Sequence, residues 1–354
     1  MKDQSKINSF SRAKKPPVGF PIHTGNTYQS LPIHIPASFL SATNLPPDLL
    51  PVKINKIDFK STPLPEYNNL YAVVIDNVLS PSECTSLIQL AESSVPPPDE
   101  IISRDTKVTT GDSDSAVAAQ SYDPWTPVLV NIGGGREVHQ PDYRNSDRII
   151  LDSTTITSRL WSRIAALCPS IAEELKKIDG ESGIIRGARK SMAGQTWDFV
   201  MLNQRMRFLR YGPGQFFHSH CDASYEVPWE NLPMPPEGRE KRRQRTLFTL
   251  HLYLNDSVEG LAEEGRTQEL NYDHAGKGDV EKTREELVGG STPFFSSDEK
   301  RRVDVYPRAG RILIFQHSGL LHSGDKVKKG VKFSMRSDIL YELRTNGEED
   351  DKEE

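Results

Sequence analysis

From about residue 200 the apolar positions fall into short runs with a period near two, the pattern of half-buried strands. The predicted strands are Met206 to Tyr211, Phe216 to Asp222, Thr246 to Asn255, Val303 to Tyr306, Gly310 to Gln316 and Val331 to Leu340. Glycine and proline turns separate them, and such a series predicts a sandwich or a barrel. Upstream, Tyr71 to Asp76 reads as a buried strand. Ser80-Pro81-Ser82-Glu83 then carries a helix start: serine as N-cap, proline in the first turn, glutamate three residues after the cap. Cys84, Leu87, Ile88 and Ala91 follow at helical spacing and form its buried stripe. A second helix is expected over Thr155 to Cys168, ended by Pro169, and a short third one over Ile171 to Ile178. Residues 94 to about 142 show little periodicity and read as a long loop. Gly133-Gly134-Gly135 within it lacks the Lys-Ser/Thr ending of a phosphate loop and is expected to be a turn.

Prolines change the picture at the start of the chain. Ten of the 25 fall in residues 1–66, where they block helix interiors and central strands. This stretch is expected to be a largely disordered arm, with Val52 to Phe59 able to add an edge strand. The domain expected to carry the chemistry is 67–342, its β core spanning about 200–342, and 343–354 is an acidic tail. Two charged interruptions, Ala223 to Gln244 and Ser257 to Val288, divide the strand series.

Charge and cysteine content narrow the classes. A net charge of −5 argues against a general nucleic-acid binder, and the basic cluster at Lys241, Arg242, Arg243 and Arg245 reads as a solvated loop. Three widely spaced cysteines (Cys84, Cys168, Cys221) make neither a disulfide framework nor a cysteine-based zinc site. No secretory signal and no apolar run of membrane-spanning length is visible, so an intracellular protein of cytoplasm or nucleus is expected, without membrane or nucleic-acid partners. Oligomeric state has no signature.

The candidate chemistry lies in His220-Cys221-Asp222, in His322 about a hundred residues later, and in Lys332. On a regular strand His220 and Asp222 point to one face and Cys221 to the other, where it packs. A histidine from a distant strand completes two histidines and a carboxylate on one side of a metal, leaving positions open for Fe(II) and oxygen chemistry. His218 and His317 compete for the histidine roles, His251 reads as pointing into the barrel near substrate or as a hydrogen-bonded core residue, and His274 lies in a charged insertion. Arg336 shares strand parity with Lys332 and reads equally as a second anion clamp or as a structural partner of a carboxylate such as Asp338. Tyr225 and Trp229 follow Asp222 and are candidate substrate contacts. Tyr143-Arg144-Asn145-Ser146-Asp147-Arg148 carries polar groups that either reach a substrate or cap a sheet edge.

These motifs, taken in order, resemble the Fe(II)- and 2-oxoglutarate-dependent dioxygenases of the prolyl 4-hydroxylase branch. The residues are Tyr211, Gly214 and Phe216-Phe217 ahead of His220-Cys221-Asp222, then Leu252-Tyr253-Leu254-Asn255. They continue with Gly289-Gly290-Ser291-Thr292-Pro293-Phe294, His322-Ser323-Gly324 and Lys332, while Tyr71 to Asn77 resembles the family's entry strand. The resemblance covers about residues 70–342 in scattered blocks. It implies an α+β fold with a mainly β core, a double-stranded β-helix or jelly roll with packed N-terminal helices. It also implies Fe(II), 2-oxoglutarate and O2 as cofactors, with ascorbate as an optional addition. His220, Asp222 and His322 would hold the iron; Lys332 and Tyr211 would bind the distal carboxylate of 2-oxoglutarate, with Tyr253 lining the pocket or sharing that task. The implied reaction hydroxylates an unactivated C–H bond of a protein side chain or small metabolite and releases succinate and CO2. A non-catalytic jelly-roll binding module, or a zinc hydrolase using the same ligands, are the competing readings.

Overall fold

The computed structural model describes residues 22–24, 30–97, 122–133, 136–179, 195–235, 240–263 and 285–344. His274, the acidic tail beyond residue 344 and the first 21 residues lie outside them. Eight strands build the core: β6 (Arg205–Tyr211), β7 (Phe216–His220), β8 (Gln244–Tyr253), β9 (Thr292–Phe295), β10 (Arg302–Val305), β11 (Ile312–Gln316), β12 (His322–Gly324) and β13 (Lys332–Leu343). The chain alternates between two antiparallel sheets, apart from the β9–β10 hairpin that stays in the second, in the order β6-β13-β8-β11 in one and β7-β12-β9-β10 in the other. That alternation is a jelly roll, the double-stranded β-helix.

Short elements widen both sheets. β1 (Lys53–Lys56) and β2 (Ala72–Asp76) continue the first sheet past β11, and β4 (Asp147–Asp152) continues it past β6. β3 (Arg144–Asn145) continues the second sheet past β7. The chain from β3 to β4 therefore passes from one sheet to the other at their shared edge. β5 (Thr196–Leu202) pairs with the far end of β13.

Alternation in the long strands sorts the chemistry. Phe248, Leu250 and Leu252 of β8, with Phe333, Met335, Ile339 and Tyr341 of β13, belong to the core shared with the helices. The helices are α1 (Pro81–Ser93), α2 (Thr154–Leu167) and α3 (Pro169–Lys176). The intervening Thr249, His251 and Tyr253, and Lys332, Ser334, Arg336 and Asp338, turn to the other face, between the sheets. Polar residues at every second position of otherwise apolar strands are thus the lining of the jelly-roll interior.

The α1 start is as expected. The Glu83 amide donates to Ser80 Oγ at 3.2 Å, and the Ser80 amide donates to Glu83 Oε2 at 3.1 Å. The same Glu83 carboxylate receives both guanidinium arms of Arg163 from α2, at 2.9 and 3.2 Å, and the Arg163 side chain is fully buried. Removing one partner strands a buried charge, so Arg163→Leu is expected to cost about 3–5 kcal/mol of stability. Urea unfolding checks this; a midpoint unchanged from wild type would show the pair to be dispensable.

Three expectations need correction. Pro169 does not merely end α2: it opens α3 at the first-turn position proline favours. α3 then stops at Lys176, and Ile178 lies in a strand that pairs with Trp197 of β5. The stretch read as a loop contains, in its described part, a hairpin of Val130–Gly133 with Arg136–Val138; Gly134 and Gly135 lie outside the described residues. Residues 30–66 are not a free arm. Phe39, Leu40, Phe59 and Leu64 are buried, and Lys53–Lys56 is an edge strand, so apolar anchors spaced among the prolines dock this stretch on the body. Among the described residues no helix is long and apolar enough to cross a membrane.

Candidate metal centre

β7 and β12 are neighbours in the second sheet, and their register sets His220 opposite His322. Two histidines about a hundred residues apart in sequence thereby face one another, with ring centroids 4.4 Å apart. The Asp222 carboxylate approaches both: Oδ1 lies 3.5 Å from His220 Nε2 and Oδ2 3.7 Å from His322 Nε2. The three donor atoms lie within 4.8 Å of one another, close enough for a single metal ion.

Both rings are set in the same tautomer. His220 Nδ1 lies 2.8 Å from the His218 carbonyl and His322 Nδ1 3.0 Å from the Leu320 carbonyl. A carbonyl only accepts, so each Nδ1 carries the proton and each Nε2 presents its lone pair to the centre. Burial, with the neighbouring His220, lowers the His322 pKa to about 3, which keeps that ring neutral at working pH. Asp222 is fully buried, which by itself disfavours its charge. The Arg336 guanidinium at 2.8 Å outweighs this and holds the carboxyl well below its ordinary range. Thr249 Oγ donates to the other carboxylate oxygen at 2.5 Å.

Strand alternation is not what joins His220 to Asp222. β7 ends at His220, and the chain has left the sheet by Cys221. Cys221 is exposed, not packed as expected; Asp222 is turned inward by Thr249 and Arg336. Arg336 is accordingly a carboxylate partner: its second arm reaches Asp338 at 3.2 Å. His317 lies 3.3 Å from Asp338 and outside the donor group. His218 is exposed, and its ring is 6.2 Å from that of Tyr143. His251 faces the interior, and its Nε2 is cut off from solvent without a hydrogen-bond partner among the described residues. Tyr225 and Trp229 are both exposed.

Deeper in the same interior lies Lys332. Its register partner is Tyr211, and its ammonium sits 5.4 Å from the ring centroids of both Tyr211 and Tyr253. It has no ion-pair partner among the described residues. Burial pulls its pKa down to about 7, with Asp325 offsetting part of the effect. Two features hold this lysine that its own strand does not reveal. Gly290 has φ +71°, and a Cβ there would stand 3.1 Å from Lys332 Cδ, so the glycine leaves room for the lysine stem. Asn255 clamps the strand start, accepting from the Phe333 amide at 2.7 Å and donating to the Val331 carbonyl at 2.9 Å. The Tyr253 hydroxyl donates to the Val305 carbonyl at 3.4 Å, leaving its ring as a wall.

This donor set suits the bound groups of an oxygenase. Two imidazoles and one ionised carboxylate match the ligand type of non-haem Fe(II). A buried, unpaired ammonium with unpartnered Ser334 Oγ and His251 Nε2 in the same interior matches a small dicarboxylate. A jelly roll with such a centre defines a mononuclear metal enzyme. Residues 206–337 match the sequence profile of the 2OG-Fe(II) oxygenase superfamily. That match, with the donor set above, marks the protein as an oxygenase whose cofactors are Fe(II), 2-oxoglutarate and O2.

Solved structures with related chains include a Pseudomonas putida prolyl-4-hydroxylase, 15% identical, TM-score 0.29, covering 57% of this chain and 72% of its own. The viral collagen prolyl hydroxylase of Paramecium bursaria Chlorella virus-1, as its 2OG complex, is 17% identical, TM-score 0.32, with coverages of 76% and 95%. The α-ketoglutarate-dependent epimerase SnoN of nogalamycin biosynthesis is 13% identical, TM-score 0.34, with coverages of 82% and 84%. The fold assignment rests on the strand order above, not on these likenesses. No curated protein matches the chain significantly.

Proposed function

We propose that the protein hydroxylates an unactivated C–H bond of its substrate, as prolyl 4-hydroxylases do, converting 2-oxoglutarate and O2 to succinate and CO2. The observation that carries this reading is the pairing of the His220–Asp222–His322 donor group with the unpaired, buried Lys332 in one interior. A zinc hydrolase has no use for such an ammonium, and a binding module has no use for both. Bound Fe(II) supplies the redox chemistry by which O2 is activated.

The residues divide the remaining work. His220, Asp222 and His322 hold the metal on one side and leave the opposite positions for cosubstrate and O2. Arg336 and Thr249 keep Asp222 ionised and oriented, as carboxylate partners of metal ligands do. Lys332 neutralises the distal carboxylate of 2-oxoglutarate, and Tyr211 donates a hydrogen bond to it. Tyr253 walls the pocket and keeps water from that ion pair.

Adding Fe(II) and then 2-oxoglutarate to the purified protein without oxygen tests the reading. The expected result is the visible iron-to-keto-acid charge-transfer band, absent from Asp222→Ala. Correctly folded wild-type protein that shows no band would sink the proposal in favour of the zinc or binding readings.

A further inference from the structure

Arg144 is a charged group beside the metal centre that the proposed chemistry leaves unused. It lies on β3, at the edge where the chain crosses between the sheets, in register with Phe217. Its guanidinium carbon sits 4.3 Å from the Phe217 ring centroid, and that ring is stacked on His220 at 3.8 Å. Arg144 is thus one aromatic layer away from a metal ligand. Its Nε is cut off from solvent with no hydrogen-bond partner, and no ion pair to it exists among the described residues.

The neighbouring acids are taken. Asp222 is held by Arg336 and belongs to the metal site. Asp338 is shared by Arg336, Arg207 at 3.2 Å and His317 at 3.3 Å. Three guanidiniums, those of Arg144, Arg207 and Arg336, therefore face two carboxylates. Burial, then the charges of Arg336 and Arg207, depress the Arg144 pKa, while Tyr211 and Asp222 act the other way. Fe(II) and the 2-oxoglutarate dianion cancel one another's charge, so loading the site leaves the cationic excess in place. Arg144 is half-buried with its Nε left unsatisfied, and a planar guanidinium on an aromatic face is preorganised for two-pronged binding of a carboxylate.

We propose that Arg144 anchors a carboxylate of the substrate, so that the compound oxidised beside His220 and His322 is a small organic acid. The inference rests on the oxygenase reading above and names its substrate class. Arg144 acts in binding and positioning; it does not enter the chemical step.

The test uses the full chain with Fe(II) and 2-oxoglutarate and two probe pools: small monocarboxylic acids and their matching primary amides. Binding is read without oxygen as a perturbation of the charge-transfer band, and coupling with oxygen as succinate release. The acid pool is expected to perturb the band and accelerate succinate release, and the amide pool to do neither. Arg144→Gln should raise the acid concentration needed by about 10- to 100-fold, the value of a charge-assisted hydrogen bond. Its half-saturating 2-oxoglutarate should stay at the wild-type value. Arg144→Lys keeps the charge without the fork and should retain an intermediate response.

Equal responses to acids and amides, or to neither, would overturn the proposal. So would a loss of 2-oxoglutarate affinity in Arg144→Gln, which would assign Arg144 to the cosubstrate. Absence of the band in wild-type protein without any pool is a separate outcome, the failure of the oxygenase reading itself.

Discussion

His322→Ala is expected to remove Fe(II) binding and all 2-oxoglutarate-dependent turnover, while His317→Ala keeps both. The two histidines are five residues apart, and either is a plausible distal ligand by composition. Only His322 presents its Nε2 to the donor group, because β12 pairs with β7 and sets it opposite His220. His317 directly follows β11 and lies against Asp338. Partners of metal ligands typically contribute about 10–100-fold to affinity, so losing a ligand itself should exceed that range. His317→Ala acts through Asp338 and Arg336 and should change iron affinity by no more than about tenfold. Calorimetric titration of Fe(II) without oxygen separates the two; a reversed order of effects would reassign the ligand.

Lys332→Met has the second large effect, and it acts in opposite directions on function and stability. Methionine keeps the unbranched stem beside Gly290 but lacks the charge. Removing one partner of a buried charge pair costs about 2–5 kcal/mol, so 2-oxoglutarate affinity should fall by about 30-fold or more while Fe(II) affinity holds. Without cosubstrate the same substitution should raise the melting temperature. Lys332 has a folded-state pKa of about 7, below its ordinary value of 10.5. For a lysine depressed in this way the unfolded chain binds more protons than the folded one between those values, so stability rises with pH across the window. The penalty is therefore fully present below about pH 7 and fades towards pH 10.5. The stabilisation by Lys332→Met should be greatest at pH 6–7 and shrink as the buffer becomes alkaline. Thermal melts across that range check the sign; a uniformly lower melting temperature would mean that the ammonium has a partner in the free protein.

The same linkage governs cosubstrate binding. Above pH 7 the free site holds a neutral lysine that must take up a proton to pair with a carboxylate. Affinity for 2-oxoglutarate should consequently weaken as pH rises above 7 and be level below it.

Much of this site was legible along the chain. His220, Asp222, His322 and Lys332 are ordered as the resemblance requires, and the strands that carry them have a clear two-residue period. The capping box of α1 and its buried stripe could be read because both are local patterns. What escaped has a shared physical cause. Thr249 and Arg336 on Asp222, Asn255 on the Lys332 strand, and Gly290 beneath the lysine stem are contacts made across sheets. Arg144 read along the chain as one of several polar groups that either reach a substrate or cap a sheet edge. Its isolation appears only when Phe217, stacked on His220, carries it to the metal centre.

The sequence by itself determined the residue types of the centre and the alternation that separates a helix-facing apolar side from a polar interior. Periodicity and capping depend on neighbours a few positions away, so they survive in one dimension. Tertiary structure alone decided which histidine faces His220, how Asp222 turns inward after its strand has ended, and which cation is left without an anion. Those outcomes depend on strand register and on charges brought together from distant segments, and a buried charge acquires its energetic meaning only from the groups that surround it.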